Sequence, residues 1–386
     1  MTTWQTRLIH SETTIPDGFA SLATPVYRGS TVVFDSVADL TDDWRQEEVG
    51  YSYGLYGTPT AMTLAARVRE LEGATHTFLT PGGQAAIALV YLALTKAGDH
   101  VLVPDSVYGP SRAFARGVLR RFGVEPEFYP PTIGADIERL LRPTTTLVWC
   151  ESPGSVTMEV QDVSAIVAAA HARGARVALD NTYAAGVLFD AFAHGVDVSM
   201  QALTKYVGGH SDLLLGSVSL RDRETYERVG RTHAGLGMAV SPDDCALALR
   251  GLQTLAVRLE TLERNTLAVA RWLAERPEVE RVLHPALPSC PGHALWRRDF
   301  TGSSSIFSVE LDARYSRERI AAFVDALRLF RIGWSWGGVT SLAVPQFDVP
   351  RQHESARRAS LVRFNVGLES VEDLVADLEQ ALATLG

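Results

Sequence analysis

Helix-like stretches and short apolar runs alternate along most of this chain, and that alternation limits its fold more than any other feature. Ala61 to Leu71 and Gln84 to Thr95 have helical spacing. Between such stretches lie His100–Val103, Thr146–Cys150 and Arg176–Asp180, each bounded by Gly, Pro or Asp and too short for a helix. Their interiors are apolar, as in strands buried on both faces of a mostly parallel sheet. Strand–helix alternation to about residue 220 therefore predicts an α/β domain. From about residue 251 the texture changes. A long helical stretch, Leu252–Glu275, precedes candidate strands Ser305–Leu311 and Ser360–Val366, with helices near Arg317–Phe330 and Val371–Leu385. That pattern predicts a smaller α+β domain. Residues 1–57 lack helical period and carry scattered Gly, Pro, Thr and Ser, so they read as an arm that must pack on something else. The predicted organisation is an arm over 1–57, an α/β domain over 58–250 and an α+β domain over 251–386.

Charge and composition then exclude several function classes. A net charge of −9 argues against nucleic acid as the main partner, because neutralising phosphates needs a basic face. The three cysteines, Cys150, Cys245 and Cys290, are far apart and form no CxxC pair, which suits a reducing compartment. No apolar run approaches the roughly 18 residues that span a bilayer, and Met1–Arg7 contains no apolar signal core. A cytoplasmic location is expected. Lys96 and Lys205 are the only lysines, so any chemistry that needs a primary amine has two candidates.

Five features could carry chemistry. Asp197 to Tyr206 is a strand-like stretch that delivers Thr204-Lys205, followed by Gly208-Gly-His-Ser-Asp212. Burial disfavours an ammonium, and a Schiff base with an aldehyde cofactor is one way to justify a buried lysine. Pairing with an aspartate is another. Lys96, in Thr-Lys-Ala-Gly-Asp, answers a helix dipole at the end of a helix. Asp180 closes an apolar strand, where open α/β sheets present ligands; it could partner a protonated pyridine nitrogen or cap the next turn. Thr80-Pro-Gly-Gly-Gln84 leads a strand into a helix, and backbone N–H groups there favour an anion such as phosphate. Tyr108 follows another strand and could stack on a ring or simply pack in its turn. Arg363 lies inside an apolar strand and needs an anion, either a substrate carboxylate or a structural partner.

These residues sit in strings that resemble the Cys/Met-metabolism branch of pyridoxal-phosphate enzymes with the aspartate-aminotransferase fold. The strongest stretches are Ile133-Gly-Ala-Asp-Ile137, Glu151-Ser-Pro-Gly-Ser-Val-Thr-Met-Glu-Val160, Asp180-Asn-Thr-Tyr-Ala-Ala-Gly-Val-Leu-Phe189 and Thr204-Lys-Tyr206. Gly209-His-Ser-Asp212, His284-Pro-Ala-Leu-Pro288, Arg298-Asp-Phe-Thr-Gly-Ser-Ser304 and Trp334-Ser-Trp-Gly-Gly338 extend the likeness nearly end to end. The resemblance is to the lyase members. It implies pyridoxal 5'-phosphate as cofactor, Lys205 as the Schiff-base lysine, Asp180 as partner of the pyridine nitrogen and Tyr108 stacked on the ring. It also implies that Gly83, Gln84 and Thr204 hold the phosphate, joined by Tyr53 from a neighbouring subunit's arm. Arg363, Ser335 and Trp336 would bind the substrate's α-carboxylate end. A homotetramer, a dimer of dimers with shared sites, is the implied assembly, and it would account for the arm.

The chain departs from the family pattern in the arm. Members commonly carry Tyr-Gly-Arg-Arg-Gly, where this chain reads Tyr53-Gly-Leu-Tyr-Gly57. The missing arginines usually meet the phosphate and the substrate's distal carboxylate; neither Leu55 nor Tyr56 can do so ionically, and Tyr56 is expected to contact the substrate without a charge. Beyond Tyr108, Ala113 replaces a common acidic residue, and Arg112 beside it offers a distal anion contact. The expected reaction is β-elimination at the C–S bond of an amino-acid thioether such as cystathionine. A cysteine or alkylcysteine lyase, a γ-lyase, a γ-replacement synthase and a non-catalytic binder on the same scaffold remain as alternatives.

Overall fold

A computed structural model describes residues 3–9, 21–353 and 361–386. Seven strands form the first sheet: β1 (His76–Thr80), β2 (His100–Pro104), β3 (Glu125–Tyr129), β4 (Thr145–Glu151), β5 (Arg176–Asp180), β6 (Val198–Gln201) and β7 (Gly216–Leu220). Their order is β1-β7-β6-β5-β4-β2-β3. From β6 to β3 every pairing is parallel, while β7 runs antiparallel to both β6 and β1. The sheet is mostly parallel, as its apolar strands predict.

Side-chain alternation along β4 shows why both faces must be covered. Leu147 and Trp149 point into a core with Ile87 and Val90 of the helix Gly83–Leu94. Val148 and Cys150 point the other way, against Ile166 and Val167 of the helix Val163–Ala172. With helices on both faces, the carboxyl ends of β2, β4, β5 and β6 are left to form a crevice, the place where such sheets bind ligands.

The second sheet is antiparallel, in the order β10-β11-β9-β8, from β8 (Val279–Leu283), β9 (Ile306–Leu311), β10 (Leu342–Gln346) and β11 (Leu361–Asn365). Val269 and Leu273 of the helix Leu255–Ala274 and Leu374 and Leu378 of the helix Val371–Leu382 cover it.

Two expected helices are shorter or broken. The stretch Leu252–Glu275 divides at Thr254, with one helix ending at Gln253 and the next beginning at Leu255. Arg258 fixes the break, donating to the carbonyls of Gly251 and Tyr206 at 2.7 Å each and to the Thr254 hydroxyl at 3.1 Å. The helix from Arg317 stops at Asp325 rather than reaching Phe330. Here the buried Asp377 carboxylate takes the backbone N–H groups of Arg328 and Leu329, both at 2.8 Å, in place of helical carbonyls.

Among the described arm residues, Trp44 is anchored on this chain. It packs on Phe78 and Tyr226, and a Cβ at Gly230 would lie 2.2 Å from its ring. Leu22, Val33, Val37 and Leu40 stay exposed. No helix among the described residues is long and apolar enough to cross a membrane.

Candidate active site

A cavity of about 390 Å³ opens over the carboxyl ends of β4, β5 and β6. Lys205 enters it from the turn after β6, where its own N–H donates to Ala202 O at 3.0 Å. Its Nζ donates to Ser335 Oγ at 2.7 Å and stands 5.4 Å from the centre of the Trp336 ring. Burial, and then the positive charge of Arg363, lower this amine to about 8. No such shift arises in a lysine on open surface.

Asp180 ends β5 with part of its surface open to the same cavity. Its Oδ1 accepts from the N–H of Thr182 at 3.0 Å and from the Thr182 hydroxyl at 2.5 Å. Burial raises its affinity for a proton, and Lys205 opposes that. Beside it in register on β4 lies Glu151, a second buried carboxylate. Glu151 accepts from the backbone N–H of Tyr108 at 2.8 Å and from that of Ser155 at 2.9 Å, tying together two loops that wall the cavity. Burial, and then the neighbouring Asp180 charge, push its carboxyl up. The sequence reading gave Glu151 no role, although it closes an apolar run as Asp180 does.

The other end of the cavity is the N-terminus of the helix Gly83–Leu94. Small residues are required there. A Cβ at Gly83 would lie 2.6 Å from Ala202 Cβ, and one at Gly216 would lie 2.5 Å from Gly82 O. Gln84 is exposed at the cavity edge. Thr204 also lines it, but its hydroxyl donates to Leu215 O and accepts from Leu215 N, both at 3.1 Å. The expected phosphate contact would need that hydroxyl to turn away from Leu215.

Tyr108, on the loop after β2, lines this cavity and an adjoining one of about 450 Å³. Arg363 reaches both from β11. Among the described residues no carboxylate pairs with it, and its guanidinium lies 6.0 Å from the centre of the Trp334 ring. Burial lowers it to about 10. Ser335 and Trp336 line the second cavity as well.

Two expected residues lie elsewhere, and a third lines the second cavity already bonded to a carboxylate. Tyr53 and Tyr56 are not in the Lys205 cavity of their own chain; Tyr56 donates to Asp42 Oδ1 at 3.2 Å and lines a separate small pocket. Arg112 lines the second cavity but is partly engaged. Its Nη2 donates to Asp105 Oδ1 at 2.7 Å and its guanidinium lies 4.4 Å over Phe128, while its buried Nη1 has no hydrogen-bond partner among the described residues. The buried Asp105 carboxylate, seven residues back at the end of β2, needs that counter-charge.

A buried amine held near neutrality, a carboxylate with raised proton affinity and a glycine-lined helix N-terminus in one cavity fit an aldehyde cofactor with a basic ring nitrogen and a phosphate. The family described as Cys/Met metabolism PLP-dependent enzymes matches residues 5–383. The chain belongs to this family. Its cofactor is pyridoxal 5'-phosphate. The chain is 43% identical over 368 residues to cystathionine beta-lyase MetC of Escherichia coli, covering 93% of each chain. It is 43% identical over 374 residues to cystathionine beta-lyase of Bordetella avium, covering 95% of this chain and 93% of that one. The crystal structure of metB from Corynebacterium glutamicum superposes with a TM-score of 0.91 at 30% identity, covering 100% of this chain and 99% of that one.

Proposed function

We propose that this chain is a carbon–sulfur β-lyase that cleaves L-cystathionine to homocysteine, pyruvate and ammonia. The observation that carries the reading is Arg363, a buried guanidinium without an acidic partner among the described residues, in the cavity that holds Lys205. An uncompensated buried charge is costly, and a bidentate carboxylate relieves it. Arg363 thus receives the substrate's α-carboxylate, with Ser335 and Trp336 beside it.

Bound pyridoxal phosphate supplies an electron sink for the pair left when the α-proton is removed. The chain's own residues do the rest. Asp180 holds a proton at the pyridine nitrogen, and Gly83 and Gln84 hold the phosphate at the helix N-terminus, with Thr204 at its edge. Lys205 anchors the cofactor. Once freed, its amine takes the proton from Cα, oriented by its bond to Ser335 Oγ. Tyr108 would stack on the cofactor, and its phenol, raised further above its usual range by partial burial, would donate to the departing sulfur. The sum is R–S–CH2–CH(NH3+)–COO− + H2O → R–SH + pyruvate + NH4+.

Resemblance, together with the exposed Leu22, Val33, Val37 and Leu40, supports a second reading, of assembly. The arm over 1–57 covers a neighbouring copy in a tetramer and carries Tyr53 and Tyr56 to that copy's cavity. The two sheets support the divisions 58–250 and 251–386, although the helix Pro242–Gln253 runs across that boundary.

Incubation of the holoenzyme with L-cystathionine tests the reaction. Equal amounts of pyruvate and homocysteine support it. Cysteine and 2-oxobutyrate would mean γ-elimination, and no keto acid at all would refute a lyase.

A further inference from the structure

We propose that Arg112, Gln346 and Ser106 form a subsite in the second cavity for the carboxylate that ends the leaving thiol. This rests on the β-lyase reading and adds the residues that select its leaving group: a thiol that carries an acid, as homocysteine does. The second cavity shares Lys205, Arg363 and Tyr108 with the first, so a substrate held by its α-carboxylate directs its remainder into the second space.

Three buried polar atoms on residues lining that space have no hydrogen-bond partner among the described residues: Arg112 Nη1, Gln346 Nε2 and Ser106 Oγ. A buried donor left unpaired is costly, and native folds keep few of them. Three on one cavity ask for a single acceptor with several lone pairs. A carboxylate has them, and its charge strengthens each bond.

Each group is already held in place. Asp105 meets Arg112 through one nitrogen alone, for Nη2 donates both to Oδ1 at 2.7 Å and to the carbonyl oxygen of Asp105 at 2.6 Å. Arg112 and Arg116 lie over the same Phe128 ring, at 4.4 and 4.9 Å, so this wall is more positive than the Arg112–Asp105 pair by itself. Gln346 ends β10, in register with Leu361 of β11, and leads into the strap Phe347–His353. Asp105 Oδ2 fixes that strap by accepting the N–H groups of Gln352 at 2.6 Å and His353 at 2.9 Å. Ser106 is packed against Gly154, where a Cβ would lie 2.4 Å from its Oγ. Asp348, the other acid on this cavity, is bonded to Arg317 at 2.7 Å. An ammonium beside the distal carboxylate need not lose its water, because the cavity opens at Trp334, which is 77% exposed.

The test compares pyruvate release by the holoenzyme from two analogues of L-cystathionine. S-(3-carboxypropyl)-L-cysteine keeps the distal carboxylate, and S-(3-aminopropyl)-L-cysteine keeps only the distal amine. A hydrogen bond to a charged group is worth about 10–150-fold, so the carboxypropyl substrate should lead in kcat/KM by about tenfold or more. Arg112→Lys keeps a cation for Asp105 but removes the second nitrogen. It should cut that lead by about tenfold, chiefly through KM, because the carboxylate is remote from the bonds that change. Gln346→Ala leaves the Arg112–Asp105 pair intact and should cut the lead likewise, which decides the matter should the lysine variant fail to fold. Equal kcat/KM for the two analogues in the unaltered enzyme, or a lead that neither variant lowers, overturns the subsite and leaves the lyase reading standing. No pyruvate from L-cystathionine or from either analogue overturns both.

Discussion

Replacing Arg363 with methionine should damage catalysis and stabilise the fold at the same time. Methionine keeps an unbranched apolar stem but removes the charge. Arg363 is pulled from its ordinary 12.5 to about 10, chiefly by burial. At about 1.4 kcal/mol per pH unit that is a cost of roughly 3 kcal/mol for keeping the folded group charged. The folded guanidinium binds its proton less tightly than the unfolded one, so the cost is complete below about pH 10 and fades as pH rises towards 12.5. Stacking on Trp334 returns about 1 kcal/mol. The variant should therefore gain about 2 kcal/mol and a few degrees in Tm at fixed cofactor and protein concentration. Catalysis moves the other way. Two charges about 4 Å apart at an effective dielectric of about 20 interact by about 4 kcal/mol, so losing the carboxylate clamp should lower kcat/KM by about 10³-fold. Coupled pyruvate detection and thermal unfolding measure the two effects separately. A variant that loses several kcal/mol while keeping kcat/KM within tenfold would identify Arg363 as half of a structural pair and refute the reasoning.

The Lys205 amine sits at about 8 from burial and then the Arg363 charge, and it can take a proton only when neutral. The kcat profile should therefore climb through pH 8, and in Arg363→Met the climb should move to higher pH; an unmoved profile would deny the charge coupling. Asp105→Asn leaves the buried Arg112 unpaired and loosens the strap. Denaturation should show a loss of about 3–5 kcal/mol, with new proteolytic cleavage within 347–353. Gly83→Val forces a side chain to within contact of Ala202, overpacking the helix N-terminus by about 1–3 kcal/mol. Retained pyridoxal phosphate, measured after gel filtration, should fall sharply while far-ultraviolet circular dichroism is unchanged.

Lys205, Asp180 and Arg363 were legible in the sequence for a common reason. Each is a polar residue within or closing a short apolar run, and a strand buried in a sheet tolerates that only with a purpose. Glu151 obeys the same rule but was passed over, because its bonds go to N–H groups on two loops, one of them 43 residues away. The spacing of Arg112 from Tyr108 does not reveal that Asp105 lies beneath it and takes one of its nitrogens. The break at Thr254 depends on Arg258 reaching the Tyr206 carbonyl, a contact across 52 residues. Apolar runs announce strands and not their direction, so the antiparallel β7 was hidden too.

The two lysines make the most direct measurement simple. Borohydride reduction of the holoenzyme, followed by peptide mapping, fixes the cofactor to whichever amine holds it. The cofactor's mass should appear on the peptide containing Lys205 and be absent from that containing Lys96, and Lys205→Ala should abolish it together with pyruvate release. Label on Lys96, or none on a protein that still releases pyruvate, would contradict the account.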